Sequence, residues 1–186
     1  MKKLNIFLII IMLASCEEEI QPRPKAVLSL EYPEADYEIL RTKCPYVFEK
    51  NEIATPKKPV GGKYCWLNLE YDLLGGTIFL TYQPIRNNLD SLLSDAQKLP
   101  LQHTIKAEAI EGDVYVNPYR RTYGMFYEVQ GDAASQAQFY LTDSVNHFIT
   151  GSVYFNVRPN FDSIFPAADY LKQDIRHLME TVRWTE

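Results

Sequence analysis

The stretch Thr122–Val157, TYGMFYEVQGDAASQAQFYLTDSVNHFITGSVYFNV, decides the fold of this chain. It is rich in aromatic and β-branched residues, and its first part alternates side chains between two faces, as β-strands do. Gly131 and Asp132 interrupt the alternation, and Asp143–Asn146 suit a tight turn. Strands joined by such short connections pair in antiparallel fashion. The three predicted strands cover residues 122–130, 138–142 and 147–157.

Further strands are predicted on the N-terminal side of this stretch. In residues 64–71, three apolar side chains alternate with the polar Asn68 and Glu70, which is typical of a half-buried strand. Residues 51–63 contain prolines and glycines and are predicted to be a loop. Gly112–Asp113 is predicted to be a turn between two short strands. The remaining strands are predicted over residues 46–49, 77–82, 103–111 and 114–116.

Two helices complete the predicted fold. A short helix is expected over residues 88–99, with Pro100 ending it. The last segment places apolar residues at alternating three- and four-residue steps, which forms one stripe along a helix that can dock on a sheet. The stripe comprises Ile164, Ala168, Leu171, Ile175, Leu178 and Val182, with Lys172, Gln173, Arg176 and Glu180 expected on the other face. The sequence therefore predicts an α+β fold, a mostly antiparallel β-sheet flanked by two helices.

The N-terminal residues have the pattern of an export signal. Lys2 and Lys3 precede an apolar run that is too short for a membrane-spanning helix, which needs about 20 residues. The run ends in Leu13-Ala14-Ser15-Cys16, which resembles the bacterial lipobox, whose Cys thiol is alkylated by a diacylglyceryl group. We predict a lipoprotein signal peptide over residues 1–15 and lipidation of Cys16. An ordinary secreted protein with a chance Cys at this junction is the alternative.

The mature chain divides into a tether and a domain. Residues 16–43 hold several prolines and little periodicity, so they are interpreted as the lipidated N-terminus and a tether. Their acidic triplet Glu17–Glu19 would be repelled by anionic headgroups, so anchorage would rest on the acyl chains. In some bacterial groups, acidic residues after the lipidated Cys direct a protein to the cell surface. Residues 44–186 are predicted to form a single globular α+β domain.

Two cysteines, Cys44 and Cys65, remain when Cys16 is assigned to lipidation. An even number of cysteines in an exported chain suggests one disulfide. Closing this loop would stabilise the fold by about 3 kcal/mol. Two separate buried thiols are the alternative. The chain has no CxxC motif, which disfavours a disulfide-exchange enzyme.

The charge balance disfavours a nucleic-acid partner. The chain carries 19 Lys and Arg against 24 Asp and Glu, and its net charge is −5. Nucleic-acid binding requires a basic face that displaces counterions, and Arg120–Arg121 in a predicted hairpin is too small a patch. Arg158 and Asn160, before the last helix, either face a partner or bond the start of this helix and the end of the strand. We favour the second interpretation.

Candidate catalytic and metal-binding residues are few. Asp143, Ser144 and His147 suggest a hydrolase, but the chain has no Gly-x-Ser-x-Gly motif, and Asp and Ser in a turn commonly bond their own backbone. The three histidines, His103, His147 and His177, have no neighbouring ligands at the spacing of a metal site. We therefore expect no catalytic residue, no metal and no cofactor.

Several motifs of the chain stand out together: CPYVFE (44–49), CWLN (65–68), HTIKA (103–107), YGMFY (123–127), QFYLTDS (138–144), HF (147–148), YFNVRPN (154–160) and DS (162–163). Together with a lipobox Cys at residue 16, they resemble the gliding motility lipoprotein GldD family of Bacteroidota. The resemblance covers residues 44–184 and includes the closing helix. The resemblance implies an anchored component required for gliding over surfaces, in machinery linked to the type IX secretion system, and it supplies no catalytic residue.

The order of strands and helices is also similar to a PsbP/Mog1-like α/β/α sandwich, an analogy of fold alone. We expect a non-catalytic lipoprotein that contacts other gliding and type IX secretion envelope proteins. Its lipid anchor would hold it in the cell envelope, in the outer membrane, facing the periplasm or the surface. The alternative is a cell-envelope hydrolase or small-ligand-binding lipoprotein. A deep pocket with convergent polar groups would favour this alternative.

Overall fold

The structure is a computed structural model that describes residues 32–101, 107–157 and 161–185. Within these ranges the chain forms strands β1 (Tyr37–Leu40), β2 (Tyr46–Asn51), β3 (Thr55–Lys57), β4 (Leu67–Tyr71), β5 (Gly76–Pro84), β6 (Ala107–Asn117), β7 (Thr122–Gly131), β8 (Ala137–Thr142), β9 (His147–Phe155) and β10 (Arg183–Trp184), and helices α1 (Leu89–Leu101) and α2 (Phe161–Thr181). Seven strands form one sheet in the order β3-β4-β5-β9-β8-β7-β6, and β1-β2-β10 form another. Every pair of neighbouring strands is antiparallel.

The stretch Thr122–Val157 supplies three adjacent strands of the larger sheet, β7, β8 and β9. Tyr140 in β8 lies opposite Met125 in β7 and Thr150 in β9. The predicted turn Asp143–Asn146 joins β8 to β9. The α+β prediction is therefore confirmed, including the antiparallel pairing of the sheet.

The two helices cover opposite faces of this sheet. Alternate residues of a strand point to opposite faces, and neighbours along β8 divide between two apolar clusters: Phe139 packs in the cluster of α2, and Tyr140 packs in that of α1. Leu171 and Ile175 of α2 are fully buried. Burying each contributes roughly 2 kcal/mol. The predicted docking of the apolar stripe on a sheet is thus confirmed.

The predicted turn at Gly112–Asp113 is wrong, because β6 continues through it to Asn117. Gly112 lies opposite Tyr127, and Asp113 lies opposite Phe126. The Asp113 carboxylate binds the Arg176 guanidinium of α2 at 2.7 Å. Pairing with a long neighbouring strand therefore overrides the local turn preference of a Gly-Asp pair.

Two further strands occur where the sequence predicted irregular structure. β1, within the predicted tether, pairs with β2 over Tyr37–Leu40. β3, within the predicted loop 51–63, pairs with β4 and contains Pro56. Proline lacks the N–H group needed for a central strand but is tolerated at an edge, and β3 is the edge of its sheet.

Both helices depart from the predictions in detail. α1 includes Pro100 and extends to Leu101. In α2, Lys172 was expected on the exposed face, but it is buried and forms an ion pair with Glu128 of β7. A side chain on the border of the apolar stripe can bury its stem when the neighbouring strand supplies a charge partner.

Cys44 and Cys65 form the predicted disulfide, and their Cα atoms are 5.4 Å apart. It joins the start of β2 to the segment before β4, two parts of the chain that belong to different sheets. A bridge of this loop length stabilises the fold by about 3 kcal/mol, because it restricts the unfolded chain.

Several predictions fall outside the described residues: the signal peptide, Cys16, the tether up to residue 31, His103, Arg158 and Asn160. In the part of the chain that the structure describes, neither helix has the length and apolar character needed to cross a membrane.

Candidate functional site

A cavity of about 670 Å³ lies where the β6–β7 hairpin, the β8–β9 turn and β10 meet. We call it the arginine cleft, because three arginines line it. Its lining includes Arg120, Arg121, Asp143, His147, Arg183 and Trp184. Pro45, which precedes β2, also lines the cleft. The cleft is thus built from four chain segments that are distant in sequence and brought together by the two sheets and the end of α2.

The three arginines occupy different positions in the cleft. Arg120 donates from its guanidinium to the backbone oxygen of Glu180, at the C-terminal end of α2. The side chain of Arg121 is 64% exposed, and its Nη2 lies 3.9 Å from Oδ2 of Asp143. Arg183 is exposed on β10. Arg120 therefore has a structural bond, whereas Arg121 and Arg183 present charge to solvent.

Asp143 organises the β8–β9 turn. Its side chain is only 4% exposed. Its Oδ1 accepts the backbone N–H groups of Val145, Asn146 and His147 at 2.8–3.0 Å. Burial raises the pKa of Asp143, but these three hydrogen bonds outweigh it, so the pKa lies below its ordinary value. The carboxylate is therefore ionised at neutral pH, and its charge is partly neutralised by the turn.

His147 is fixed by aromatic neighbours. Its Nδ1 lies 3.0 Å from the Tyr82 hydroxyl, and its ring stacks on Trp184 with ring centres 5.1 Å apart. Burial lowers the pKa of His147, Asp143 opposes this shift, and the positive charge of Arg121 adds to it. The ring is therefore neutral at pH 7 and forms part of the cleft wall.

The hydrolase constellation is not assembled. Ser144 is exposed, and its backbone N–H donates to Oγ1 of Thr142. No hydrogen bond joins Ser144 to His147, although the structure describes both residues. A nucleophilic serine needs a base within hydrogen-bond distance. The interpretation of Asp143 as a turn-forming residue agrees with these contacts.

Both histidines that the structure describes, His147 and His177, contact a neighbouring side chain through one ring nitrogen. His177 binds Glu49 through Nε2 at 2.8 Å and stacks on Tyr37. Within the described ranges, no three His, Cys, Asp or Glu side chains are placed to hold a metal ion.

The backbone adopts costly conformations at one residue of the cleft and at one residue beside it. Arg121 has φ of 52° and Ser144 has φ of 66°, in the left-handed region. This region costs a residue with a Cβ roughly 1 kcal/mol, and glycine is the residue that adopts it freely. Arg121 ends the four-residue connection of the β6–β7 hairpin, where its N–H donates to the oxygen of Pro118.

A second hollow, which we call the lysine hollow, adjoins the cleft. Its volume is about 320 Å³, and its walls include Lys43, Lys58 and Tyr64. Cys44 lines this hollow, and Pro45 lines the cleft, so one segment separates the two. No acidic side chain is among the described residues that line the hollow.

The sequence predicts parts of this site but not its assembly. It presents Arg120–Arg121 only as a basic patch too small for nucleic acid, and the predictions from sequence do not include Arg183 or Trp184. The one available signal was the position of Arg120–Arg121 after Asn117-Pro118, at the tip of a hairpin. Arg183 lies in the same cleft because β10, the last strand of the described chain, pairs with β2, the second strand.

Comparison with known proteins identifies the family. No curated protein matches this chain. A family model described as gliding motility lipoprotein GldD matches residues 17–184. Because this match covers most of the chain, the chain belongs to the gliding motility lipoprotein GldD family.

Proposed function

We propose that this chain is a non-catalytic, lipid-anchored protein that supports the gliding machinery and the associated type IX secretion system through protein contacts. The observation that carries this proposal is the state of the arginine cleft. Asp143 and His147, the groups suited to acid–base chemistry, hold the cleft walls, while Arg121 and Arg183 are exposed. Such a cleft is equipped to bind rather than to react.

The alternative of a ligand-binding lipoprotein gains support from the same cleft, which has the volume and convergent polar groups of a binding site. The hydrolase alternative loses its main support because Ser144 and His147 are not paired. A peptide segment of a partner protein is also a ligand, so binding in this cleft is compatible with an adaptor role.

We propose that lipidated Cys16 anchors the protein in the outer membrane. The protein would then face the periplasm or the surface. Family membership implies a lipid-anchored place in the envelope, and the lipobox places the modified thiol. Two or three acyl chains suffice for stable anchoring.

Cys16→Ser is therefore expected to release the protein from membranes and abolish spreading over agar, because no thiol remains for acylation. Fractionation, mass spectrometry of the N-terminal peptide and colony spreading measure the effect. Ser15→Ala, which keeps a small residue beside the Cys, is the matched control and should behave as wild type. An unmodified Cys16 in natively produced protein would contradict the anchor.

The proposed partners are other gliding and type IX secretion envelope proteins. Crosslinking in living cells, followed by identification of the proteins captured with the full chain, tests this directly. We expect envelope proteins of that machinery among them. Capture restricted to unrelated proteins would count against the proposal.

Ser144→Ala tests the non-catalytic part of the proposal. The Ser144 side chain is exposed and outside the arginine cleft lining, so we expect unchanged spreading and a change in unfolding free energy below about 1 kcal/mol. Colony spreading and urea denaturation provide the two measurements. Lost motility in a Ser144→Ala protein of normal stability would restore the hydrolase hypothesis.

A further inference from the structure

We propose that the arginine cleft, extended by the lysine hollow, binds a carboxylate-rich segment of a partner protein. This inference rests on the proposed function, because it identifies the surface through which a protein contact would be made. The ligand chemistry is a row of Asp or Glu side chains, recognised by guanidinium and ammonium groups.

The local charge of the cleft favours a carboxylate ligand. The whole chain has a net charge of −5, yet the cleft gathers three arginines against one acidic residue, Asp143, among its described lining. The charge of Asp143 is already offset by three backbone N–H groups. Arg183 has no acidic partner within the described ranges. Guanidinium groups bind carboxylates with paired hydrogen bonds, so Arg183 and the exposed Arg121 are suited to this ligand.

The identity of the residue at position 121 also indicates a binding role. The left-handed conformation there favours glycine, and the turn uses only the backbone of Arg121: its N–H donates to Pro118 and its C=O accepts the Trp184 indole N–H at 3.1 Å. The ion pair with Asp143 is long and exposed on one side, which makes it a weak stabilising contact. The hairpin thus keeps a strained arginine whose side chain it does not need, as functional sites do.

The position of the cleft in the domain favours a protein segment over a lipid surface as the ligand. Tyr32, where the described chain begins, packs near Gly75 and Phe155, at one end of the β5–β9 pair. His147 in the cleft lies opposite Pro84, at the other end. Nine strand residues separate these ends, or roughly 27 Å. The cleft therefore lies at the end of the domain remote from the segment that leads to the anchor.

The composition of the cleft rim agrees with a protein partner. Tyr119 is fully exposed beside the arginines, and Trp184 presents its indole at the wall. Arginine, tyrosine and tryptophan are the residues enriched in the energetic centres of protein interfaces.

The test uses the full chain, expressed with its own leader and purified in a non-ionic detergent. The probe is a short synthetic peptide rich in glutamate, and its matched control carries glutamine at each glutamate position. Calorimetric titration should show binding of the glutamate peptide that weakens with salt, and binding of the glutamine peptide weaker by roughly tenfold or more.

Two variants separate binding from structure. Arg121→Gly should weaken binding of the glutamate peptide roughly tenfold while leaving Tm unchanged or raised, because glycine relieves the backbone at this position. Arg121→Lys keeps the charge and should retain most of the affinity. Equal affinity for both peptides, or an Arg121→Gly protein with lower Tm and normal affinity, would overturn the proposal.

If binding is not as expected, two further measurements show whether the ligand, the binding site or the proposed function is wrong. Vesicles containing phosphatidylglycerol should not compete with the peptide, and Arg121-dependent binding to them in place of the peptide would overturn the protein-segment proposal in favour of a membrane contact. Crosslinking in cells is repeated with Arg121→Gly. Normal capture of envelope partners by this variant would refute only the proposal that the partner binds in the arginine cleft. Absence of such partners from the proteins captured with wild type would refute the proposed function.

Discussion

Gly124→Ala is expected to destabilise this protein by at least about 3 kcal/mol, or to prevent folding. Gly124 lies in β7 opposite Leu141 of β8. A Cβ added there would lie 1.9 Å from the carbonyl oxygen of Tyr140 and 2.9 Å from Leu141 Cδ2. The first of these atoms belongs to the backbone of the neighbouring strand, so relief requires β7 and β8 to separate. This pair lies between the two helices and cannot separate without disturbing both apolar clusters.

Gly112→Ala is the matched control, because Gly112 lies in the adjacent strand of the same sheet. A Cβ there would contact the side chains of Met125 and Tyr127 at 3.4 Å, an ordinary distance. We expect unchanged stability or a gain of up to about 1 kcal/mol, since alanine restricts the unfolded chain. Urea denaturation of both variants measures the difference. Equal stability of the two would contradict the close approach of β7 to β8.

Asp174→Ala is expected to cost about 3 kcal/mol at pH 7, because it leaves buried donors without an acceptor. Asp174 of α2 is 4% exposed. It accepts hydrogen bonds from the Tyr37 hydroxyl at 2.8 Å and from Nδ2 of Asn51 at 3.0 Å. These contacts join α2 to β1 and β2. Asp169→Ala, on the exposed face of the same helix, is the control and should change the unfolding free energy by less than about 0.5 kcal/mol.

The pH dependence of this site has a defined sign. Burial raises the pKa of Asp174 above its ordinary 3.8, and hydrogen bonds from Tyr37 and Asn51 only partly oppose this shift. The folded state therefore binds the proton more tightly than the unfolded state does. The stabilisation that arises from this pKa shift is complete below pH 3.8 and is lost as pH rises through the raised pKa.

Asp174→Asn, which is uncharged at every pH, isolates this effect. The stability difference between wild type and Asp174→Asn should shrink when the pH is raised from below 3.8 to 7. Urea denaturation at both pH values measures it. A difference that grows with pH would show that the folded protein favours the ionised carboxylate.

Local patterns were sufficient for the elements whose own residues decide their structure. The apolar stripe of α2 and the alternation in β7 each need one buried face, and both form as predicted. Gly112–Asp113 and Pro56 were mispredicted because a partner strand stabilises β6 and β3 against their local turn preference. β1 is not predicted from the sequence, because its four residues show too little alternation of apolar and polar side chains and form a strand through their pairing with β2.

The sequence by itself determined the fold class and the resemblance that gives the family, and it predicted the disulfide that the structure shows between Cys44 and Cys65. Those properties depend on periodicity, residue count and motifs, all of which are local. Only the tertiary structure decided that Arg120–Arg121 and Arg183 share one cleft. The pairing of β10 with β2 brings together residues more than 130 positions apart, and no local pattern records such a contact, because it is stabilised by the packing of the whole domain.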